Sequence, residues 1–127
     1  MLRRALTLST FLISIPASGC QTRVPADAHA LIDTFISAAV HTDTALLRES
    51  SDSATAERAI ELMADPEVLS AFNGETEVRQ AWRKEDVLYV KVSSDSSYLP
   101  LMNLILVQRD NRWVIKSVGM EFAHAIS

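Results

Sequence analysis

The pattern of apolar residues changes at Gly74, and this change constrains the fold of the chain more than any other feature. Before Gly74, apolar side chains recur at the three- and four-residue spacing of amphipathic helices. After it, they follow the two-residue period of β-strands. Helices that precede strands, rather than alternating with them, predict an α+β domain with the helices packed on an antiparallel sheet.

Four helices are predicted between residues 25 and 74. The first begins near Pro25, whose fixed φ suits a first helical turn, and its apolar stripe continues to Ala39. The fourth ends at Asn73-Gly74. The start signals of the other helices are, in chain order, Asp43 or Thr42, then Ser53, then Asp65 followed by Pro66.

Four strands are predicted after Gly74. Glu85-Asp86 and Asp110-Asn111 are expected to form tight turns, and residues 93–97 a polar, serine-rich loop. The strands follow these signals at residues 76–84, 87–92, 99–108 and 113–122.

The first strand is charged on one side. Alternation predicts that Val78 and Trp82 share one face. It assigns Glu77, Arg79 and Arg83 to the other face. Such a strand is typical of a sheet edge, and its basic side is interpreted as solvated.

The two central strands are apolar on both faces. A sheet with one wet face shows a cleaner alternation of apolar and polar residues. The helices can cover only one face, so the other is predicted to line a cavity, meet a partner or be covered by the chain itself. One set of side chains is Leu88, Val90, Val92, Met102, Leu104 and Leu106, and the opposite set is Val87, Tyr89, Leu101, Ile105 and Val107.

The N-terminal segment predicts export. A basic head, an apolar stretch over residues 5–15 and small residues before Cys20 follow the order of a secretory signal. The apolar stretch is shorter than the roughly 20 residues of a membrane span. Residues 17–20 resemble a bacterial lipobox, which implies that Cys20, the one cysteine of the chain, receives lipid. An ordinary signal-peptidase cut after Gly19, with Cys20 left as a free thiol, is the alternative.

Lipidation sets the expected location and domain boundaries. Two or three acyl chains would hold the protein in a bilayer, whereas one chain binds only marginally. Gln21 after the cysteine resembles the outer-membrane default of Gram-negative lipoproteins, so a lipid anchor in the bacterial cell envelope is predicted. The predicted parts are a lipoprotein signal peptide at residues 1–19, a lipidated tether at 20–24 and one α+β domain at 25–127.

The charge of the chain excludes one class of partner. Residues 1–19 hold two of the 12 basic residues and none of the 16 acidic ones, so the remainder has a net charge of −6. An acidic chain gains no counterion-release affinity for nucleic acid, and none is predicted as a partner. No cofactor is predicted either.

The element order and the final hairpin resemble a known superfamily. Residues 107–118 combine a strand, an Asp-Asn turn, Trp113 and an apolar residue two positions on. Helices followed by such a meander resemble the nuclear-transport-factor-2-like (cystatin-like cone) superfamily, which includes small bacterial lipoproteins. The resemblance covers roughly residues 25–122 and implies a curved, cone-like four-stranded sheet with a pocket. Its members include isomerases, dehydratases, ligand binders and interaction modules, so the fold does not name the function.

Candidate catalytic groups are few. His29, Asp33 and Ser37 stand four residues apart on the first helix, where neighbours can share a proton or a metal. Their spacing equally describes a solvated stripe. His41 is interpreted as a residue favoured at a helix C-terminus, and His124 as a surface residue. Three histidines without zinc-ligand spacing predict no metal site.

Aromatic residues are the candidates for ligand binding. Tyr89, Tyr98 and Trp113 are predicted to contact a ligand, with Tyr98 at a pocket mouth. Trp82, Tyr89, Trp113 and Phe122 fit the core equally well, because aromatic residues on strands usually pack there.

These patterns lead to one main functional hypothesis and two alternatives. The main one is a non-enzymatic, membrane-tethered module that binds a small apolar ligand or an envelope protein through the second sheet face. The first alternative is an isomerase- or dehydratase-type enzyme with acid/base residues in the cone. Its strand candidates are Lys91, Asn103, Lys116 and Glu121, and none of them is paired by spacing. The second alternative is a homodimer that covers the open face.

Overall fold

Residues 23–122 are described by a computed structural model and form four helices followed by four strands. This order confirms the predicted α+β class, with N-terminal helices packed on an open four-stranded antiparallel sheet, consistent with a cone-like fold. The helices are α1 (Ala26–Val40), α2 (Thr44–Ser50), α3 (Ser53–Met63) and α4 (Pro66–Phe72). The strands are β1 (Thr76–Lys84), β2 (Val87–Ser94), β3 (Ser97–Arg109) and β4 (Arg112–Glu121).

Aspartate side chains cap the three shorter helices. Asp43 accepts a hydrogen bond from the backbone N–H of Leu46, and Asp65 accepts one from that of Glu67. Both caps were predicted. For α3, however, the cap is Asp52, which accepts from Thr55 N at 2.9 Å, so the prediction of Ser53 is wrong by one residue. Asp and Ser cap equally well in general, and only the backbone position distinguishes them here.

The sheet is a simple meander in the order β1-β2-β3-β4, joined by two-residue turns. The predicted turns at Glu85-Asp86 and Asp110-Asn111 are confirmed. Asp110 and Asn111 have φ values of 52° and 64°, the left-handed pair that a tight hairpin requires. The predicted five-residue serine loop is wrong, because β2 extends to Ser94 and β3 begins at Ser97.

An irregularity in β1 changes which of its side chains share a face. The pairing with β2 shifts between Val78 and Gln80, which leaves Arg79 as an extra residue. Val78 therefore packs against the core, whereas Trp82 is 38 % exposed on the opposite face. The prediction that Val78 and Trp82 share a face is wrong, since one inserted residue reverses the alternation beyond it.

The core lies between the helices and one face of the sheet, called the inner face. Every helix within residues 23–122 contributes to it. The first apolar set is buried there, as predicted. The second set lies outside the core cluster and is half-buried, except for Leu101, which is buried as well. The largest fully buried side chains in the core are Phe35, Phe72, Ile32, Leu47, Leu88, Met102, Leu104, Leu106 and Ile115.

Several predictions concern residues outside the described range. The signal peptide, Cys20, Gln21 and His124 all lie there. Within residues 23–122, no helix has the length and apolar character to cross a bilayer.

Candidate functional site

The sheet face opposite the core, called the outer face, carries a row of apolar side chains across three strands. Trp82 of β1 pairs with Tyr89 of β2, which pairs in turn with Ile105 of β3. None of the three belongs to the core cluster, although Tyr89 and Ile105 are only half-exposed. Val87, Val107 and Val114 form a second, neighbouring row on the same face.

Trp82 and Tyr89 form a stacked aromatic pair. Their ring centroids are 5.3 Å apart and their planes differ by 10°. Stacking buries one face of each ring against the other, and 38 % of Trp82 remains exposed. A large exposed indole is informative because most tryptophans are highly buried.

A depression of about 200 Å³ lies beside this pair. Its walls come from β1, β2 and β3, and the surface they expose is mostly apolar. It is smaller than the roughly 300–1,000 Å³ of a site that encloses a drug-sized ligand. The depression has room for one side chain or one small ring, and the lining residues are Trp82, Tyr89, Val90, Lys91, Asn103, Leu104 and Ile105.

Three polar residues, called the polar cluster, stand next to the depression. Lys91 Nζ lies 2.6 Å from Glu121 Oε2, and Asn103 Nδ2 donates to the same oxygen at 2.9 Å. The Lys91 ammonium, followed by the Asn103 amide, lowers the pKa of the Glu121 carboxyl below its ordinary value. The exposed side-chain fractions are 24 % for Lys91 and 45 % for Glu121, so water still reaches the pair.

This cluster was not predicted from the sequence, because the spacing of its members indicates no pairing. The signal lies in strand register rather than in spacing. Lys91 pairs with Asn103 across β2 and β3, and Asn103 pairs with Gly119, two residues before Glu121. If β3 and β4 are paired residue by residue from the Asp110-Asn111 turn, the partner of Asn103 is placed one residue too early. The reason is a register shift between Ile105 and Leu106.

The three residues predicted to bind ligand do not form one site. Tyr89 lies on the outer face beside the depression. Tyr98, 54 % exposed, lies at the start of β3 with the Arg79 guanidinium 5.9 Å from its ring centre. Trp113 is 6 % exposed and belongs to the core cluster, with the Arg83 guanidinium 5.2 Å from its ring centre.

Arg79, predicted to be part of a solvated basic patch, instead joins two strands. Its guanidinium donates to Ser93 Oγ at 2.7 Å and to the Ser94 carbonyl at 2.9 Å. Ser93 is fully buried although it was predicted to be in a loop. The extra residue of β1 therefore holds the end of the β2–β3 hairpin.

A second concavity, the side cleft, lies between α1, the end of α4 and the start of β1. Its volume is about 420 Å³. His29 Nδ1 lies 3.3 Å from Asp33 Oδ2, and more than half of each side chain is exposed. His41 Nδ1 lies 2.9 Å from the Ser37 carbonyl at the C-terminus of α1, which is the position predicted for this residue. The stripe of α1 is thus solvated as one of the two interpretations predicted.

The chemistry available to each concavity differs. The side cleft has a mixed polar and apolar lining and is open, and its ion pair is of the exposed kind that contributes little energy. No three His, Cys, Asp or Glu side chains in residues 23–122 are grouped in a way that can hold a metal ion. The outer face combines an aromatic pair, a small apolar depression and hydrogen-bonding groups, which is the usual composition of a recognition surface.

Comparison with protein-family models, with curated proteins and with solved structures gives no match to this chain.

Proposed function

We propose that this chain is a membrane-tethered envelope lipoprotein of the nuclear-transport-factor-2-like plan that binds a protein partner, without catalysis, through the outer face. The observation that carries the proposal is the row formed by Trp82, Tyr89 and Ile105, which lies outside the core cluster. Exposed large apolar groups rimmed by polar residues mark interaction sites. Lipid on Cys20 would keep this surface near the bilayer.

A protein suits the outer face better than a small apolar ligand. A small ligand gains affinity by being enclosed over most of its surface. The depression of about 200 Å³ is open and too small to enclose a drug-sized ligand. A protein can lie across the apolar rows and place a single anchor in the depression, which is how binding energy concentrates at interfaces.

The enzyme alternative has less support. Lys91, Asn103 and Glu121 do meet, but on the outer face rather than inside the core layer. A carboxyl with a lowered pKa is a weaker base at neutral pH than one tuned upwards. Lys116 points elsewhere, with Nζ 3.6 Å from Asp52 Oδ2.

Photo-cross-linking in the native host tests the binding face. A cross-linking amino acid at Val107, on the outer face, is expected to capture one defined protein. The same amino acid at Arg58, an exposed residue of α3, is expected to capture none. Ile105→Asp should abolish capture from Val107, because a charge in the apolar row is costly to desolvate. Equal capture from both positions would contradict the proposal, and cross-linking only to a second copy would favour the homodimer.

Mass spectrometry of protein from the native host tests the tether. The proposal predicts a chain that begins at Cys20 and carries diacylglyceryl on the sulfur. A chain that begins at Cys20 with an unmodified thiol would contradict lipidation, while leaving the binding face untouched.

A further inference from the structure

We infer that the partner presents a proline-rich segment in the polyproline II conformation, whose rings pack along the row Trp82–Tyr89–Ile105. This inference rests on the proposed function, since it takes the outer face as the binding surface. It adds the chemical class of the segment that is recognised.

Ring size and spacing favour such a segment. A polyproline II helix has three residues per turn and rises about 3.1 Å per residue, so equivalent side chains recur about every 9 Å. Trp82 and Ile105 lie on β1 and β3, with β2 between them, and two strand spacings amount to about 9.5 Å. One proline ring can therefore contact the exposed indole while the third residue along fills the depression beside Ile105.

The hydrogen-bonding inventory of the polar cluster favours a ligand that supplies acceptors. The Lys91 ammonium has three N–H donors and the Asn103 amide has two. Each group has a single hydrogen bond among the described residues, to Glu121. The unused donors sit beside the depression, where carbonyl groups of a bound backbone can reach them. Tyr89 and Trp82 add a hydroxyl and an indole N–H to the same region.

The apolar row disfavours a peptide segment that has backbone N–H groups. A backbone N–H pressed onto apolar side chains loses water without gaining a partner, which is unfavourable. Proline has no backbone N–H, so a proline-rich segment avoids this loss while its carbonyls remain available. Its conformation is also largely formed before binding, which reduces the entropy lost on association.

A second copy of the chain and a small apolar molecule fit less well. A β-strand added from another copy would need a sheet edge for its hydrogen bonds, and the row lies on a face. A second copy packed face to face is instead detected by the cross-linking experiment at Val107. A small apolar molecule would leave the polar cluster without a role. Aromatic-lined surfaces on small domains are the general solution for proline-rich ligands.

The test is a titration of the full chain, held in phospholipid nanodiscs, with decaproline. Trp113→Phe leaves Trp82 as the one tryptophan and makes its fluorescence the readout. Decaproline is expected to shift the Trp82 emission saturably, and a Gly-Ser peptide of equal length is expected to have no effect. Empty nanodiscs with the same peptides provide the blank.

Variants locate the interaction. Lys91→Met should weaken decaproline binding roughly tenfold, as expected for loss of a hydrogen bond to a charged donor. Isothermal titration calorimetry measures this and also Trp82→Ala, which should reduce binding below detection. Leu46→Ala is the matched control, because Leu46 is also 38 % exposed but lies on α2, and it should leave the affinity unchanged.

Two results would overturn the inference. One is failure of decaproline to bind a chain whose outer face still captures its partner by cross-linking, which leaves the proposed function standing. The other is decaproline binding that Trp82→Ala and Lys91→Met leave unchanged. If both the capture and the titration fail, the proposed function falls as well.

Discussion

The Glu121 carboxylate depends on two neighbours whose contributions can be separated. Lys91→Met removes the larger cause of its lowered pKa, so the pKa of Glu121 should rise towards the ordinary value of 4.5. Asn103→Leu removes the smaller cause and should give a smaller rise. Side-chain NMR titration measures both. A larger effect from Asn103 would contradict the hydrogen-bond order of the polar cluster.

The pH dependence of stability follows from the sign of this change. The pKa of Glu121 is lower in the folded chain than in the unfolded one. Its stabilising contribution is therefore present above the unfolded pKa and is lost as the pH falls through the folded value. Because about half of the side chain is exposed, the contribution is small.

The N-cap of α3 offers a second prediction for single residues. Asp52→Ala should lower the free energy of unfolding by about 1 kcal/mol, because it removes the acceptor for Thr55 N. Ser53→Ala, one residue along, should change it little. Urea denaturation compares the two variants. Equal losses would mean that the cap is shared between them.

Lowering the pH should remove the difference in the free energy of unfolding between wild type and Asp52→Ala. Hydrogen bonds from Thr55 hold the pKa of Asp52 below 3.8, and Lys116 adds to the shift. The ionised cap therefore stabilises the fold above that pH and loses this advantage as the pH falls through the lowered pKa. The difference between wild type and Asp52→Ala should shrink in the same range.

At the scale of elements, the Arg79 insertion in β1 joins the strand to the β2–β3 hairpin. Arg79→Met should destabilise the domain by about 1–3 kcal/mol, since it removes the donor to the buried Ser93 hydroxyl and leaves the Ser94 carbonyl with Ser93 Oγ as its side-chain donor. Arg79→Lys should recover only part of this loss, because lysine lacks the planar fork. Thermal unfolding by circular dichroism provides the measurement.

Arg58→Met is the matched control for Arg79. Arg58 pairs with Glu61 at 3.2 Å on the surface of α3, with more than half of each side chain exposed. Its loss should change stability by less than about 1 kcal/mol. If the two arginines proved equivalent, Arg79 would not be a structural joint.

The order of elements could be predicted from the sequence, whereas the face of each β1 residue could not. Helix periods, the Asp65-Pro66 start and the Asp110-Asn111 turn are local signals, and the structure follows them. No glycine or proline in β1 indicates that the pairing of this strand is interrupted at Arg79. The interruption arises from pairing with β2, and therefore Trp82 was assigned to the wrong face.

At the scale of the whole molecule, the apolar outer set of the central strands was predicted, but the site within it was not. Two-sided apolar patterning of β2 and β3 is visible in the sequence. The polar cluster depends on the register of three strands and on the shift at Ile105. The separation of Lys91 and Glu121 along the sequence does not indicate that their side chains meet across the sheet.

The most direct test of the central claim measures whether the outer face is open in the free protein and covered when a partner binds. Acrylamide quenching of two single-tryptophan chains, Trp113→Phe and Trp82→Phe, reports on the two faces of the sheet. We expect strong quenching of Trp82, weak quenching of the buried Trp113, and protection of Trp82 alone when the partner is added. Equal shielding of both tryptophans in the free chain would contradict an open outer face.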